Sequence, residues 1–403
     1  MITGEFPQMA GVGLWRFAPG AEHLHAGSLP YRTPREVISL HLGYPDPRTF
    51  PASDLGDVLS AVLKEDDRLS LQYCEEKGDL RLRSELATWH RVARGAITEE
   101  NVLITQGTTE ALELLSNLFL TAGDVVVMEA PTYLWAIRSF RLREAELIGI
   151  PTDNDGIRLS PLYERLQELI SCQRRPKFLY VMTDFQNPSG HSMPLERRKD
   201  LLRMAHELRV PIIEDTPYLD LRYEGQPLPT LFDLDEHNVV IQARSFSKII
   251  GPGTRLGWVV GERTVIDRLA TVKQTGSCTL LSRAVAAYIR EAAYRSCIEN
   301  ARVIYRRKRD SVQEALRALL PEAVHWESPS GGFYVWLSLP NEIDVERLYQ
   351  QAAARGVLFL KGQDCFCDQT RSNSIRLSFS FETEERIVRG VALLADLLGS
   401  TRH

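Results

Sequence analysis

Four short segments carry residue types whose spacing suits anion binding and amine chemistry. The sharpest is SFSKIIGPGTRLG, residues 245–257. Ser245, Ser247, a Gly/Pro-rich turn and Arg255 are what a phosphate site needs, because hydroxyls, close backbone and a charge-assisted arginine all donate to an anion. Lys248 follows the apolar run NVVIQAR. Its amine is either a partly desolvated nucleophile able to form a Schiff base or a structural lysine inside a phosphate-binding turn. In IIEDTPYLD, residues 212–220, an acidic pair ends an apolar run. Asp215 there either meets a ligand at a sheet edge or N-caps the following turn. TDFQNPSG, 183–190, sets Asn187 after another apolar run, where Asn-Pro with Gly190 also reads as an ordinary turn. In QGTTEAL, 106–112, Gly107, Thr108 and Thr109 open a helix after a strand, an arrangement whose amides and hydroxyls can face a phosphate.

Positioning these groups requires a particular set of elements. From Asn101 onward, NVLITQG, DVVVMEA, ELIGIP, KFLYVMT, VPIIED, NVVIQAR and LGWVVG are short, β-rich apolar runs, with helical patterns between several of them. Such alternation predicts a largely parallel sheet covered on both faces. Right-handed crossovers then bring loops from many strand ends to one sheet edge. After about residue 263 the pattern turns helical, over 263–275 and 281–319, and then into separate strands GGFYVWL, GVLFL and SIRLSFS with helices near 344–355 and 383–398. This predicts a smaller α+β domain. The basic run YRRKRD at 305–310 is short and flanked by acids, so it is read as a solvated helix face.

Composition excludes several function classes. A chain of 403 residues suits one large α/β domain with a smaller one appended, or a few domains in series. Its 48 Lys and Arg against 53 Asp and Glu, a net charge of -5, argue against nucleic acid or an anionic membrane as the main partner. Hydrophobic residues at 44% and charged residues at 25% exclude wholesale disorder. The six cysteines make no disulfide framework, and Cys365 and Cys367, without a second Cys/His pair at metal spacing, read as unpaired thiols, so no metal is expected. There is no basic stretch leading an apolar core at the N-terminus and no run near the ~18 apolar residues of a membrane span. The expected setting is the cytoplasm.

Taken together and in order, the segments resemble the fold-type I pyridoxal-phosphate enzymes, specifically class I/II aminotransferases of the branch containing 2-aminoadipate and kynurenine aminotransferases. The resemblance runs from SLHLGYPDPRTFP (39–51) and LQYCEEKGDLRLRSEL (71–86) through VLITQGTTEAL, EAPTYLWAIRSFR, FQNPSG, PIIEDTPY and SFSKIIGPGTRLGW to SPSGGFYVWL and SIRLSFS. It implies a large domain, residues 45–290, built on a mostly parallel seven-stranded sheet sandwiched by helices. A smaller α+β domain from 1–44 and 291–403 would close on the substrate. The implied activity moves an amino group between an α-amino acid and a 2-oxo acid, with pyridoxal 5'-phosphate held by Lys248 as a Schiff base. Asp215 would pair with the pyridine nitrogen, Asn187 and Tyr218 would bond the ring oxygen, and Tyr133 would stack on the ring. Gly107, Thr108, Thr109, Ser245, Ser247 and Arg255 would surround the phosphate, and Tyr73 would reach it from the partner of a homodimer with shared active sites. Gly43, Asn187 and Arg376 would meet the substrate, Arg376 gripping its α-carboxylate with a bidentate fork. Lys248, Asp215 and Tyr218 form the implied catalytic set, with the released lysine as general base. Arg83 is expected as a structural ion-pairing residue, His41 and His191 as hydrogen-bonded or surface groups, and Trp135 and Phe185 as pocket lining or core.

The resemblance thins on substrate-facing elements. Residues 1–38, with Arg16 and Arg32, do not follow the branch, and neither do His41 and Tyr44, the loop KGQDCFCDQTRSN (361–373) or GSCTLLSR (276–283). Side-chain specificity therefore stays open. So does a second reading, in which the same cofactor shell performs elimination, γ-replacement, cyclisation or oxidation. A third reading, an aminotransferase-like sensor of a transcription regulator, needs a DNA-binding module, and the residues before SLHLGYPDP carry no helix-turn-helix pattern.

Overall fold

Runs made almost wholly of Val, Ile and Leu have no polar face to give to water, so they become strands covered on both sides. The computed structural model describes residues 19–22, 36–65, 68–90, 95–368 and 372–400. In it Val102–Thr105, Val125–Ala130, Phe178–Val181, Ile212–Asp215 and Gly257–Val260 are buried at every position. Across the large sheet the order is Val102–Thr105, Gly257–Val260, Val240–Ser245, Ile212–Asp215, Phe178–Val181, Val125–Ala130, Glu146–Asp153 and Gly156–Ile157. All pairings are parallel except those of Gly257–Val260 with both its neighbours and of the last hairpin. The eighth, two-residue strand at the edge is an addition to the seven expected. It is too short to leave an apolar run in the sequence.

This topology decides where chemistry can happen. Asp215 and Ser245 are the last residues of their strands, and Gly107, Tyr133 and Asn187 follow shortly after the ends of theirs. All five therefore gather at the carboxyl edge of the sheet, where open α/β folds bind ligands.

A second, antiparallel sheet runs His325–Trp326, Tyr334–Ser338, Ser374–Ser378, Leu360–Lys361, with Trp336 opposite Arg376. Ile38–Ser39 pairs in parallel with Val357–Leu358, so an early segment is stitched to a late one. The long helix Ala292–Leu319 packs on Glu384–Ser400. The YRRKRD run departs from the solvated face expected of it: Tyr305, Lys308 and Arg309 are buried. Residues three and four apart share one helix face, and here that face is turned inward. Lys308 Nζ lies 2.7 Å from Asp46 Oδ2, and Arg309 Nη2 lies 2.6 Å from Glu224 Oε1, so the buried cations are paired. Arg83 behaves as expected, buried and bonded to Gly78 O at 3.0 Å and Glu75 Oε2 at 2.6 Å.

Candidate active site

Gly107 is the point on which the anion-binding groups converge. It has φ of 95° and N-caps the helix Thr108–Phe119. A Cβ there would lie 3.7 Å from Ser245 Oγ, 3.8 Å from Ser247 Oγ and 3.9 Å from Arg255 Nη1, so only glycine leaves this concavity open. Ser245 Oγ donates to Ser247 Oγ at 2.8 Å and accepts from the Ser247 amide at 3.1 Å, which fixes both hydroxyls. Gly257, opposite Ser245, allows the approach: a Cβ on it would come within 2.7 Å of Gly107 Cα. The helix N-terminus, with Thr108 and Thr109, adds free amides and a positive dipole end. Among the described residues no carboxylate lies within ion-pairing distance of Arg255, leaving its charge for a ligand.

Lys248 lines the same site, and Asp215 lies behind it, close enough for each to act on the charge of the other. Lys248 Nζ donates to Gly43 O at 3.2 Å. Burial, reinforced by the Arg376 and Arg255 cations and opposed by Asp215, pushes its amine down to about 8. Asp215 is fully buried, and burial pushes its carboxyl up to about 7 against the pull of the Tyr180 hydrogen bond and of Lys248. Its Oδ2 accepts from the Tyr180 hydroxyl at 2.8 Å, while Oδ1 has no hydrogen-bond partner.

On the side facing the smaller sheet, Arg376 is only 5% exposed. It donates from Nη1 to Asn187 Oδ1 at 2.7 Å and from Nη2 to His41 O at 2.5 Å, and its guanidinium lies 4.2 Å over the Tyr334 ring. Its Nε is buried without a partner. Tyr334 OH and Tyr218 OH share a hydrogen bond of 2.8 Å. Gly43 packs against that tyrosine pair, since a Cβ on it would sit 1.9 Å from Tyr334 OH. His41 stays neutral beside this cluster, its imidazole pushed down to about 4 by burial and by Arg376.

One cavity of about 160 Å³ is lined by Gly107, Thr108, Thr109, Tyr133, Asn187, Tyr218, Ser245, Ser247, Lys248 and Arg255, together with Tyr44. Ten of the expected site residues therefore face a single space, with Asp215, Gly43 and Arg376 hydrogen-bonded or packed around it. Tyr73 is not among them: it is 96% exposed on its own chain. Phe185 is core, wedged under Gly331 and Gly332, and Trp135 stacks with Arg138 away from the cavity. His191 is buried against Glu129. Arg16, Arg32 and residues 369–371 of the 361–373 loop lie outside the described residues. Sequence reasoning missed Tyr180 and Tyr334. The signal was a tyrosine within an aliphatic strand, FLYV and YVWLS, because a buried phenol must find a partner.

The residues fit pyridoxal phosphate. A buried carboxylate oxygen with no donor is costly, and a protonated ring nitrogen would supply that donor to Asp215 Oδ1. The concavity at Gly107 suits the phosphate, and the Lys248 amine suits an aldehyde.

Comparison with known proteins shows the family of the chain. The family described as aminotransferase class I and II matches residues 38–392. An aromatic-amino-acid aminotransferase of Thermococcus litoralis is 37% identical over 90% of this chain and 88% of its own. A 2-aminoadipate transaminase of Thermus thermophilus is 32% identical over 90% of each chain. Among solved structures, a Pyrococcus horikoshii kynurenine aminotransferase in complex with PMP superposes with a TM-score of 0.91 at 33% identity, covering 96% of this chain and 98% of that one.

Proposed function

The chain belongs to the class I and II aminotransferases and is a pyridoxal-phosphate-dependent enzyme, and on that premise we propose which of its residues do the work and on what. The observation that carries the assignment is the joint placement of a buried amine, a buried unpartnered carboxylate oxygen and an open anion concavity around one cavity. Lys248 anchors the cofactor, Asp215 holds the proton on its ring nitrogen, and Asn187 and Tyr218 bond its ring oxygen. Tyr133 covers the ring, and Gly107, Thr108, Thr109, Ser245, Ser247 and Arg255 bind the phosphate. The substrates are an α-amino acid and a 2-oxo acid, whose shared α-carboxylate Arg376 binds beside Asn187 and Gly43.

Bound pyridoxal phosphate supplies an aldehyde to carry the amino group and a protonated ring that draws electrons from the substrate Cα. The chain's residues do the rest. Lys248 Nζ, when not bound to the cofactor, would be the base that takes the Cα proton. A group whose amine is pushed down to about 8 is a base near neutral pH, which an ordinary lysine is not. Arg376 fixes the carboxylate so that the Cα–H faces Nζ, and the Tyr218–Tyr334 pair holds the phenol in place.

Tyr73 serves the phosphate of a partner subunit in a homodimer. Its exposure, with that of Leu69 and Leu71 beside it, supports a covering surface. Residues 45–290 act as the cofactor domain, and 1–44 with 291–403 as the closing domain. No helix among the described residues is long and apolar enough to cross a membrane, and the six cysteines are free, which supports a cytoplasmic setting.

The test is to mix the purified enzyme with single amino acids, follow conversion of its absorbance to the amine form, and assay the 2-oxo acid released. Lys248→Ala should abolish this, and sustained turnover in that variant would overturn the assignment.

A further inference from the structure

Asn187 holds Arg376, and a buried network outside the cavity holds Asn187. The turn that carries it begins at Gln186, whose amide is fully used. Nε2 donates to Pro131 O at 2.8 Å and to Glu129 Oε2 at 3.4 Å, and Oε1 accepts from the Ser189 amide at 2.9 Å and the Ser189 hydroxyl at 2.7 Å. The first pair fixes the orientation of this amide, since turning it over would set its oxygen against a carbonyl and a carboxylate. Ser189 has then spent its proton, so its Oγ accepts from His191 Nδ1, with which it is in hydrogen-bond contact. His191 Nε2 in turn faces Glu129 Oε1 at 3.6 Å. Glu129 is itself anchored, its Oε2 accepting from the Met182 amide at 2.9 Å. The hydrogen-bonded path runs Glu129, Gln186, Ser189, His191, and it returns to Glu129 only through that 3.6 Å contact, which is too long for a hydrogen bond and leaves His191 Nε2 and Glu129 Oε1 without a hydrogen-bond partner.

Every member is buried or nearly so, with Glu129 and Gln186 fully inaccessible and the His191 side chain 6% exposed. The turn has no slack on its other side either, since a Cβ on Gly190 would come within 2.7 Å of Tyr334 O. Gly156 presses on the imidazole from the edge hairpin, where its own Cβ would lie 3.3 Å from His191 Nε2. Linked hydrogen bonds in a dry interior resist displacement far more than the same bonds in water.

We propose that Glu129 and His191 are positioning residues for the substrate carboxylate, clamping the 186–190 turn so that Asn187 Oδ1 stays on Arg376 Nη1. Among the described residues Arg376 has two acceptors, Asn187 Oδ1 and His41 O. A turn free to shift releases one of them, and the guanidinium fork rotates away from the orientation a bidentate carboxylate requires. The proposal rests on Arg376 binding the α-carboxylate.

The test is steady-state kinetics of the holoenzyme with an amino acid it turns over. His191→Phe keeps the ring volume and removes both nitrogens. It should raise the amino-acid KM about tenfold while kcat stays within about twofold, and because Asn187 also meets the cofactor's ring oxygen the affinity for pyridoxal phosphate should fall by less than KM rises. Ser189→Ala, which removes one link from a half-buried site, should move KM in the same direction by less. Glu129→Leu should match His191→Phe. Glu129→Gln, whose amide can donate to His191 Nε2 and whose oxygen can still accept from Met182, should restore most of the loss. A general loosening of the fold would lower thermal stability and cofactor affinity at least as much as it raises KM, and would not be rescued by glutamine. An unchanged KM, a KM that rises no more than cofactor affinity falls, or a Glu129→Gln variant as poor as Glu129→Leu, overturns the proposal. Arg376→Ala separates it from its premise. An unchanged KM there overturns the carboxylate assignment itself, whereas a raised KM there beside an unchanged KM in His191→Phe overturns the clamp alone.

Discussion

Tyr180 donates its hydroxyl proton to Asp215 Oδ2 at 2.8 Å, from the strand next to the one that ends in Asp215. That single bond satisfies one carboxylate oxygen and leaves the other, Oδ1, buried and waiting for a donor. The pair thus aims the carboxylate as well as helping to keep it ionised.

Tyr180→Phe should therefore weaken cofactor binding. With that donor gone the Asp215 carboxyl rises further above about 7, so less of it is ionised to meet a ring proton. One charge-assisted hydrogen bond is worth about tenfold in affinity or somewhat more. The loss should be larger at pH 6.5 than at 8.5, read by titrating cofactor-free enzyme with pyridoxal phosphate at both values. An equal loss at both would mean Tyr180 only packs.

Asp215→Asn should make the cofactor-free protein more stable while destroying its activity. The folded carboxyl sits at about 7 against 3.8 for the ordinary group, so the folded state holds the extra proton between those values. Stability is consequently lost as pH rises through that window and stays lost above it, by an amount on the order of a few kcal/mol. Thermal unfolding should place the variant above the wild type at pH 8, with the gap closing towards pH 4. A function–stability trade-off of this kind is expected where an active site buries a charge.

Lys248 gives the opposite pH behaviour in a different measurement. Its amine must be neutral to attack an aldehyde, so capture of pyridoxal phosphate by the cofactor-free enzyme should accelerate as pH rises and level off above about 8. Arg376 is the largest neighbouring charge depressing that value. Arg376→Ala should shift the midpoint of the rate profile to higher pH, which stopped-flow absorbance would resolve.

The cofactor shell was legible because strand ends announce themselves: an apolar run that stops at Asp215, or stops just before Gly107 and Asn187, must place that residue at the sheet edge. Lys248, Ser245, Ser247 and Arg255 were legible together because a phosphate needs several donors within a few residues. Tyr180 and Tyr334 were not, since hydroxyls inside apolar strands look like core until their cross-strand partners are known. The inward face of Tyr305, Lys308 and Arg309 was hidden for a related reason. Their acceptors, Asp46, Ser380 and Glu224, lie far away in the chain, and no local pattern signals a distant carboxylate. The path through Glu129, Gln186, Ser189 and His191 likewise joins two strand ends that only the fold brings side by side.

Gly43 offers the most local test of the substrate side. A methyl at this position would lie 1.9 Å from Tyr334 OH and 2.9 Å from its Cζ, so Tyr334 must move. Its 2.8 Å bond to Tyr218 then breaks, and the ring that sits 4.2 Å beneath Arg376 shifts with it. A displacement of that size beside the reacting atoms should cost Gly43→Ala about 10²-fold in kcat/KM. Tyr334→Phe, which deletes only the hydroxyl, should cost several-fold. If the clash is the cause, the two changes must compensate: Gly43→Ala with Tyr334→Phe should recover part of the activity lost by Gly43→Ala alone, because the nearest obstructing atom is gone while the Cζ contact remains tight. Independent effects would instead multiply, making the double variant worse than either single one. The sign of that coupling decides whether glycine is required at position 43 by the tyrosine pair or by the bond from Lys248 Nζ to its carbonyl oxygen.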